Sequence, residues 1–135
     1  MIGIVVVTHG QLSTELLSAT ETMVGELPNF TAVSLGLHVE TSDARDAIAQ
    51  AIARVEQGEG VLLLTDMFGG TPSKLAITFL GQDDVEVLTG VNLPMLIALA
   101  GRSEEASLLD VAREARDRAQ SAIWVASDLL RGDKA

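Results

Sequence analysis

The sequence predicts an α/β fold: a doubly wound, mainly parallel sheet with helices on both faces. Two observations predict it. The apolar runs 4–7 and 61–64 are short, continuous and aliphatic, which is typical of strands buried on both faces of a parallel sheet. Segments with helical spacing of apolar residues lie between the strand-like segments, and this alternation favours parallel strands joined by right-handed crossovers.

The elements are expected to follow one another in a regular order. A first strand ends before His9, and the next apolar residues repeat at helical spacing over 11–24, where Gly25 ends the helix. The later elements are predicted as strand 30–35, a helix through 43–55, strand 61–65, a helix through 72–80, strand 85–89, a short helix over 95–100, a helix through 108–119 and a strand near 122–126.

Four of the helix starts carry residues that are typical of helix starts and caps. They are Thr41 or Ser42, Thr71 followed by Pro72, Asn92 with Pro94, and Ser107 with Asp110 three residues later. The helix over 95–100 is apolar all round, so we expect it to be covered on every side, with another subunit as one candidate. The end of the chain is ambiguous, because 122–126 is rich in β-forming residues whereas Leu129 and Leu130 also suit a helical stripe; we favour the strand.

Composition narrows the class of protein. The 135 residues, 47% of them apolar, fit a single domain over 1–130 with a short tail over 131–135. Nine basic against 19 acidic residues give a net charge of −10, which argues against binding to nucleic acid or to anionic membranes. We interpret the acidity first as a contribution to solubility and second as a preference for a partner with a basic face. The sequence has no cysteine and no apolar run long enough to span a bilayer, so we expect a cytoplasmic protein.

The candidate site lies where the parallel strands end. Ligands of open α/β sheets bind beyond the carboxyl ends of the strands, and His9, Asp66 and Gly90 all fall at that edge. If Asp66 hydrogen bonds one imidazole nitrogen of His9, it fixes the tautomer and leaves the other nitrogen free as a nucleophile. We therefore take His9 and Asp66 as the catalytic pair, with Gly10 allowing the chain to turn beside them.

The loop over 65–72 is the second informative stretch. It joins the Asp66 carboxylate, two glycines and a helix start, an arrangement that suits a phosphate group. No Gly-Lys-Ser/Thr sequence ends a glycine-rich loop and no GxGxxG follows the first strand, so nucleotide binding is not supported. The other histidine, His38, is read as a solvent-facing loop residue, and no metal site or cofactor is predicted.

Three motifs, read together, identify a family. They are 4–10 (IVVVTHG), 66–72 (DMFGGTP) and 90–96 (GVNLPML). In this order they resemble the enzyme IIA domain of the mannose family of the bacterial phosphoenolpyruvate-dependent sugar phosphotransferase system, and the similarity covers about residues 1–130.

The resemblance implies a phosphoryl carrier. His9 matches the phosphorylated histidine, which accepts a phosphoryl group from phospho-HPr and passes it to a separate enzyme IIB, and Asp66 matches the carboxylate that hydrogen bonds it. We expect the N–H groups around Gly69, Gly70 and Thr71, together with Gly10, to bind the phosphoryl group without a metal. The resemblance also implies a homodimer in which a C-terminal edge strand crosses to the partner's sheet.

The sequence leaves other interpretations of function and family to be weighed. A regulatory domain, whose phosphorylation at His9 controls binding to a partner, is the alternative function. A response-regulator receiver needs an acidic pair after the first strand, where Thr8 and His9 stand. The dihydroxyacetone kinase phosphotransfer subunit uses a similar histidine, but the motifs at 69–72 and 92–94 look more like the mannose family. A flavodoxin-type fold lacks support, because no phosphate loop follows the first strand.

Overall fold

Over residues 1–81, 84–102 and 106–132, which the computed structural model describes, the chain forms four strands and six helices. The strands are Gly3–His9 (β1), Phe30–Leu35 (β2), Val61–Thr65 (β3) and Val85–Thr89 (β4). The helices are Leu12–Val24 (α1), Thr41–Val55 (α2), Thr71–Ile77 (α3), Leu93–Ala100 (α4), Leu108–Ser121 (α5) and Ala126–Leu130 (α6). These bounds confirm the first nine elements in their predicted order.

The four strands form one parallel sheet in the order β2-β1-β3-β4. His9 at the end of β1 is in register with Leu35 at the end of β2, and Thr65 at the end of β3 with Thr89 at the end of β4. All four carboxyl ends therefore lie at one edge of the sheet, as the strand order along the chain predicted.

The sheet is covered on both faces, which confirms the doubly wound prediction. Successive residues of β1 point to opposite faces: Val5 and Val7 join the core under α2 and α3, whereas Ile4 and Val6 join the core under α1, α4 and α5. All four of these side chains are buried, as expected for a central strand.

The predicted cap of α5 is confirmed. Ser107 is the N-cap residue, and its side chain accepts a hydrogen bond of 3.2 Å from the backbone N–H of Asp110. The short helix α4 has a cap of the same kind, in which the Asn92 side chain accepts a bond of 3.0 Å from the N–H of Met95.

The predicted caps of α2 and α3 are wrong. The N–H of Ala44 bonds the Glu40 carbonyl at 2.9 Å, so the first turn of α2 closes one residue before Thr41. The N–H of Lys74 likewise bonds the carbonyl of Gly70 at 3.0 Å. Thr41 and Thr71 are thus the first helical residues and not caps.

The helix α3 ends earlier than its apolar stripe suggests. After Ile77 the N–H groups of residues 78–80 bond carbonyls three residues back, which is the tighter 3₁₀ pattern. Leu75, Ala76 and Phe79 are buried as predicted, but Leu80 is 43% exposed because the tighter turn rotates it away from the core.

The helix α4 is covered on one side only. Met95, Leu96 and Leu99 are buried among α1, α5 and the sheet, whereas Ile97 is 37% exposed. No described element of the single chain packs on the outer face of α4, so cover of that face by another subunit stays a prediction.

The predicted strand near 122–126 is also wrong for the single chain. Residues 122–125 pair with no strand in the described part, and Ala126 begins α6. Ile123 and Val125 are 70% and 64% exposed, so this segment lacks the neighbour that a strand needs. Of the predicted tail, 133–135 lie outside the described residues.

Candidate functional site

The fold brings His9 and Asp66 together. His9 is the last residue of β1, Asp66 follows directly after β3, and these two strands are hydrogen-bonded neighbours in the sheet. The apolar residues of both strands are buried in the core. His9 and Asp66 stand where the two strands leave the core. The predicted pairing at the strand ends is therefore present.

The Asp66 carboxylate is held by three donors. Its Oδ2 lies 2.7 Å from the Nδ1 of the His9 ring and accepts a 3.0 Å bond from the backbone N–H of His9. Its Oδ1 accepts a 2.9 Å bond from the N–H of Met67. These bonds fix both the carboxylate and the orientation of the imidazole.

The two side chains differ in exposure and charge. The His9 side chain is 53% exposed and that of Asp66 only 13%. Burial raises the pKa of the Asp66 carboxyl, but the hydrogen bond from the His9 ring, the His9 backbone N–H, the His9 charge and the Met67 N–H together hold the pKa below its ordinary value. The ionised carboxylate accepts the proton on Nδ1, and in the neutral form of the ring this bond leaves the lone pair on Nε2.

Gly70 packs against the imidazole. A Cβ placed on Gly70 would lie 2.6 Å from Cε1 and 3.1 Å from Nε2 of His9, so only a glycine allows the loop to come this close. Among the described residues, no acceptor bonds the backbone N–H of Gly70 or of Thr71. Two unused donors therefore follow each other on the loop that borders the exposed nitrogen of His9.

The other two predicted phosphate ligands have their N–H groups in use. The N–H of Gly10, which turns the chain with φ +53°, donates to the carbonyl of Leu35 at 2.9 Å. The N–H of Gly69 donates to the Oγ of Ser73 at 2.8 Å. In this structure both glycines shape the loops beside His9 and offer no open backbone donor.

Two hydroxyls that support the site were missed by the sequence analysis. The buried Thr8 accepts a 2.7 Å bond from the N–H of Ser13 and so fixes the turn after β1. The buried Ser73 bonds both Gly69 and Gly70. The only sequence signal was position: a serine in the first turn of a helix can bond the backbone just before it.

The remaining ionisable candidates do not join the site. His38 is exposed in the loop after β2, as predicted. Over residues 1–81, 84–102 and 106–132, no group of three His, Cys, Asp or Glu side chains could hold a metal ion. None of the helices in these ranges is long and apolar enough to cross a membrane.

The chain matches a known family over most of its length. The model of the family "PTS system fructose IIA component" (EIIA-man), where PTS is the phosphotransferase system, matches residues 3–116. This match includes the His9 turn and the Asp66 loop, and it confirms the resemblance drawn from the three sequence motifs.

Curated relatives agree with this match. The chain is 28% identical over 131 residues to the PTS system fructose-specific EIIA component of Bacillus subtilis, covering 96% of this chain and 90% of that protein. It is 31% identical over 108 residues to the PTS system mannose-specific EIIAB component of Escherichia coli, covering 78% of this chain. The chain thus spans about a third of that longer protein, since the match covers 33% of it.

One solved structure and one regulatory protein also match this chain. The crystal structure of the phosphotransferase system component EIIA from Streptococcus agalactiae superposes with a TM-score of 0.84 at 25% identity, covering 94% of this chain and 98% of that chain. A shorter match, 34% identical over 67 residues, covers 49% of this chain and 7% of the transcriptional regulatory protein LevR of Bacillus subtilis.

Proposed function

This chain belongs to the family of PTS system fructose IIA components, and on that premise we propose that it accepts a phosphoryl group from phospho-HPr on His9 and passes it to an enzyme IIB. One observation carries the proposal. The 2.7 Å bond between Nδ1 of His9 and Asp66 leaves Nε2 of the half-exposed side chain as the nucleophile. We also propose that 1–130 acts as a single cytoplasmic IIA domain that needs no cofactor.

The reaction needs one bond to form and one to break. The Nε2 lone pair of His9 attacks the phosphorus of the phosphohistidine on HPr, and the donor's P–N bond breaks with its electron pair returning to the donor imidazole. The proton on Nδ1 stays in place, and the ionised Asp66 offsets the positive charge that develops on the ring. Transfer to the IIB repeats these steps with His9 as the leaving group.

The loop after β3 supplies the candidate ligands of the phosphoryl oxygens. We assign that role to the open N–H groups of Gly70 and Thr71, since Gly70 already borders Nε2. Gly10 and Gly69 reach the phosphoryl group only if their bonds to Leu35 and Ser73 open. They contribute here by letting the loops approach His9 without side chains.

The surroundings of His9 suit a docking protein. Leu37 follows β2, whose last residue is in register with His9, and is 92% exposed; Phe68 and Met67 follow Asp66 and are 74% and 57% exposed. Exposed apolar side chains around a polar centre are typical of protein interfaces. The net charge of −10 favours a donor with a basic face.

A homodimer accounts for the exposed C-terminal segment. Ile123, Trp124 and Val125 are 70%, 41% and 64% exposed, and β4 is a sheet edge that pairs only with β3 in the described chain. We propose that this segment of one subunit forms a strand on the β4 edge of the other. That pairing would satisfy the edge and bury the apolar residues together.

Intact mass measurement tests the transfer. The protein is incubated with phosphoenolpyruvate, enzyme I and HPr, as wild type and as His9→Ala, with His38→Ala as the matched control because His38 is exposed and outside the site. We expect wild type and His38→Ala to gain one acid-labile phosphoryl group and His9→Ala to gain none. Uptake by His9→Ala would overturn the assignment.

The match to LevR favours one alternative, a regulatory domain whose phosphorylation state controls a partner. The two functions differ in the fate of the phosphoryl group. A transfer subunit passes it to a IIB, whereas a regulatory domain keeps it. Mixing the phosphorylated protein with a purified IIB of this family and following loss of the added mass distinguishes them.

A further inference from the structure

We propose that Ser73 is a positioning residue that holds Gly70 against the imidazole of His9, an inference that rests on the proposed function of His9. Ser73 is a buried residue of α3 with 1% of its surface exposed. Its hydroxyl bonds neither the His9 ring nor Asp66, so its effect on them passes through the loop.

The Ser73 hydroxyl bonds both residues of the glycine pair. Its Oγ accepts a 2.8 Å bond from the N–H of Gly69 and donates a 3.0 Å bond to the carbonyl of Gly70. A hydroxyl offers one donor and two acceptor positions, so both bonds form at once. One side chain thus bonds the N–H that precedes the Gly69–Gly70 peptide and the carbonyl that follows it.

The loop also lies against the reacting part of the His9 ring. The ideal Cβ position on Gly70 is 2.6 Å from Cε1 and 3.1 Å from Nε2 of His9, so the Gly70 backbone limits how the ring can tilt on that side. Asp66 holds the ring through Nδ1. The ring is thus held between a carboxylate and a loop, and only the loop depends on Ser73.

The glycine pair has one other bond of this kind, from the Lys74 N–H to the Gly70 carbonyl. Once the hydroxyl is removed, the Gly69 N–H loses its acceptor and, because glycine has more backbone freedom than any other residue, the pair samples more orientations. The open N–H groups of Gly70 and Thr71 would then lose their fixed direction toward the phosphoryl group. The expected loss is in the rate of transfer, with binding of the donor protein unchanged.

The experiment compares three variants of the full chain. Ser73→Ala removes only the hydroxyl, Ser73→Thr keeps it, and Thr20→Val removes a different buried hydroxyl, which bonds Leu16 within α1. For each, phosphorylation by phospho-HPr gives a rate at saturating donor and a KM. Nuclear magnetic resonance gives the nuclear Overhauser effect between His9 Hε1 and the Gly70 Hα protons.

We expect Ser73→Ala to lose the His9–Gly70 Overhauser effect and to transfer about 10- to 100-fold more slowly at saturating donor, as for a slight misplacement of reacting groups. Its KM should stay at the wild-type value. Ser73→Thr should recover both signals, and Thr20→Val should match wild type.

Two results would overturn the inference. One is a wild-type rate and Overhauser effect in folded Ser73→Ala. The other is an equal loss of rate in Thr20→Val, because the rate would then follow stability and not the loop. If wild type itself takes up no phosphoryl group, the proposed function fails, and the Overhauser effect alone still decides whether Ser73 positions the ring.

Discussion

At His9 the decisive feature is an asymmetry between the two ring nitrogens. Nδ1 is bonded by a carboxylate that is mostly buried, whereas the rest of the ring is half exposed. An ionised carboxylate accepts hydrogen bonds and cannot donate one. Nδ1 is therefore the ring nitrogen that carries a proton toward Asp66, and Nε2 is the nitrogen without this partner. The chemistry assigned to Nε2 depends on this single contact.

Replacing the carboxylate by an amide should slow the transfer with little change in shape. In Asp66→Asn the amide can turn its NH₂ toward Nδ1 and favour the wrong tautomer, so we expect the rate to fall by about 10²- to 10⁴-fold, as for other residues that orient an imidazole. Asp46→Asn, which removes the same charge from an exposed position of α2, is the control and should keep the wild-type rate. Initial rates with phospho-HPr measure both.

The same carboxylate should make stability depend on pH. The folded pKa of Asp66 lies below its ordinary value, so its contribution is present above the unfolded pKa of about 3.9 and is lost as pH falls through the folded value. We expect the difference in unfolding free energy between wild type and Asp66→Asn to shrink as the pH falls below about 4. Urea unfolding at acidic pH measures it, and a difference that grows on acidification would contradict the hydrogen-bonded carboxylate.

Gly70 offers a steric test of the site. Its backbone angles, φ −81° and ψ 171°, suit alanine, so any effect of Gly70→Ala comes from the 2.6 Å approach of the new methyl to the imidazole. We expect about a tenfold or greater loss of transfer rate. Gly101→Ala is the control, because its methyl would meet nothing nearer than 3.7 Å; equal rates in the two variants would refute the contact.

At the scale of elements, the helix starts show where the cap residues expected from the sequence agree with the backbone hydrogen bonds and where they differ. Ser107 caps α5, whereas Thr41 already lies inside α2. We expect Ser107→Ala to lower the unfolding free energy by about 0.5–2 kcal/mol, the usual cost of a lost N-cap. Thr41→Ala should change it by less than about 0.5 kcal/mol. Urea unfolding of both variants at pH 7 tests the contrast, and equal costs would contradict it.

The strands and most of the helices were predictable from periodicity. Each strand is either a continuous apolar run or a short β-rich segment between turn residues. These patterns predict the strands because a strand that is buried in the sheet needs apolar side chains. The start of α2 and the end of α3 were not predictable, because a shift of one residue in the backbone hydrogen bonds changes neither composition nor periodicity. The outer face of α4 depends on what packs there, which a single chain does not encode locally.

The position of His9 beside Asp66 was predictable, whereas the contacts around this pair were not. The parallel order of the strands was enough to place His9 beside Asp66, since strand ends collect at one edge. The tautomer, the approach of Gly70 and the use of the Gly69 N–H by Ser73 depend on distances of a few ångströms between residues far apart or in an irregular loop. No spacing in the sequence reports these.

At the scale of the whole molecule, the exposed segment over 123–125 makes oligomeric state the relevant quantity. If it pairs with the β4 edge of a second copy, Ile123→Glu combined with Val125→Glu should convert a dimer to a monomer by placing charges in the interface. Met23→Glu is the control, since Met23 is 54% exposed on α1, away from this segment. Light scattering should give a dimer of two 14.2 kDa chains for wild type and control; a monomeric wild type would contradict the pairing.

The most direct test of the account is to identify the nitrogen that carries the phosphoryl group. Protein labelled with ¹⁵N at histidine is phosphorylated through phosphoenolpyruvate, enzyme I and HPr, and the imidazole resonances are followed by nuclear magnetic resonance. We expect phosphorus bonded to Nε2 of His9, with Nδ1 still protonated and hydrogen bonded to Asp66. Phosphorylation at Nδ1, at His38 or at no histidine would contradict it.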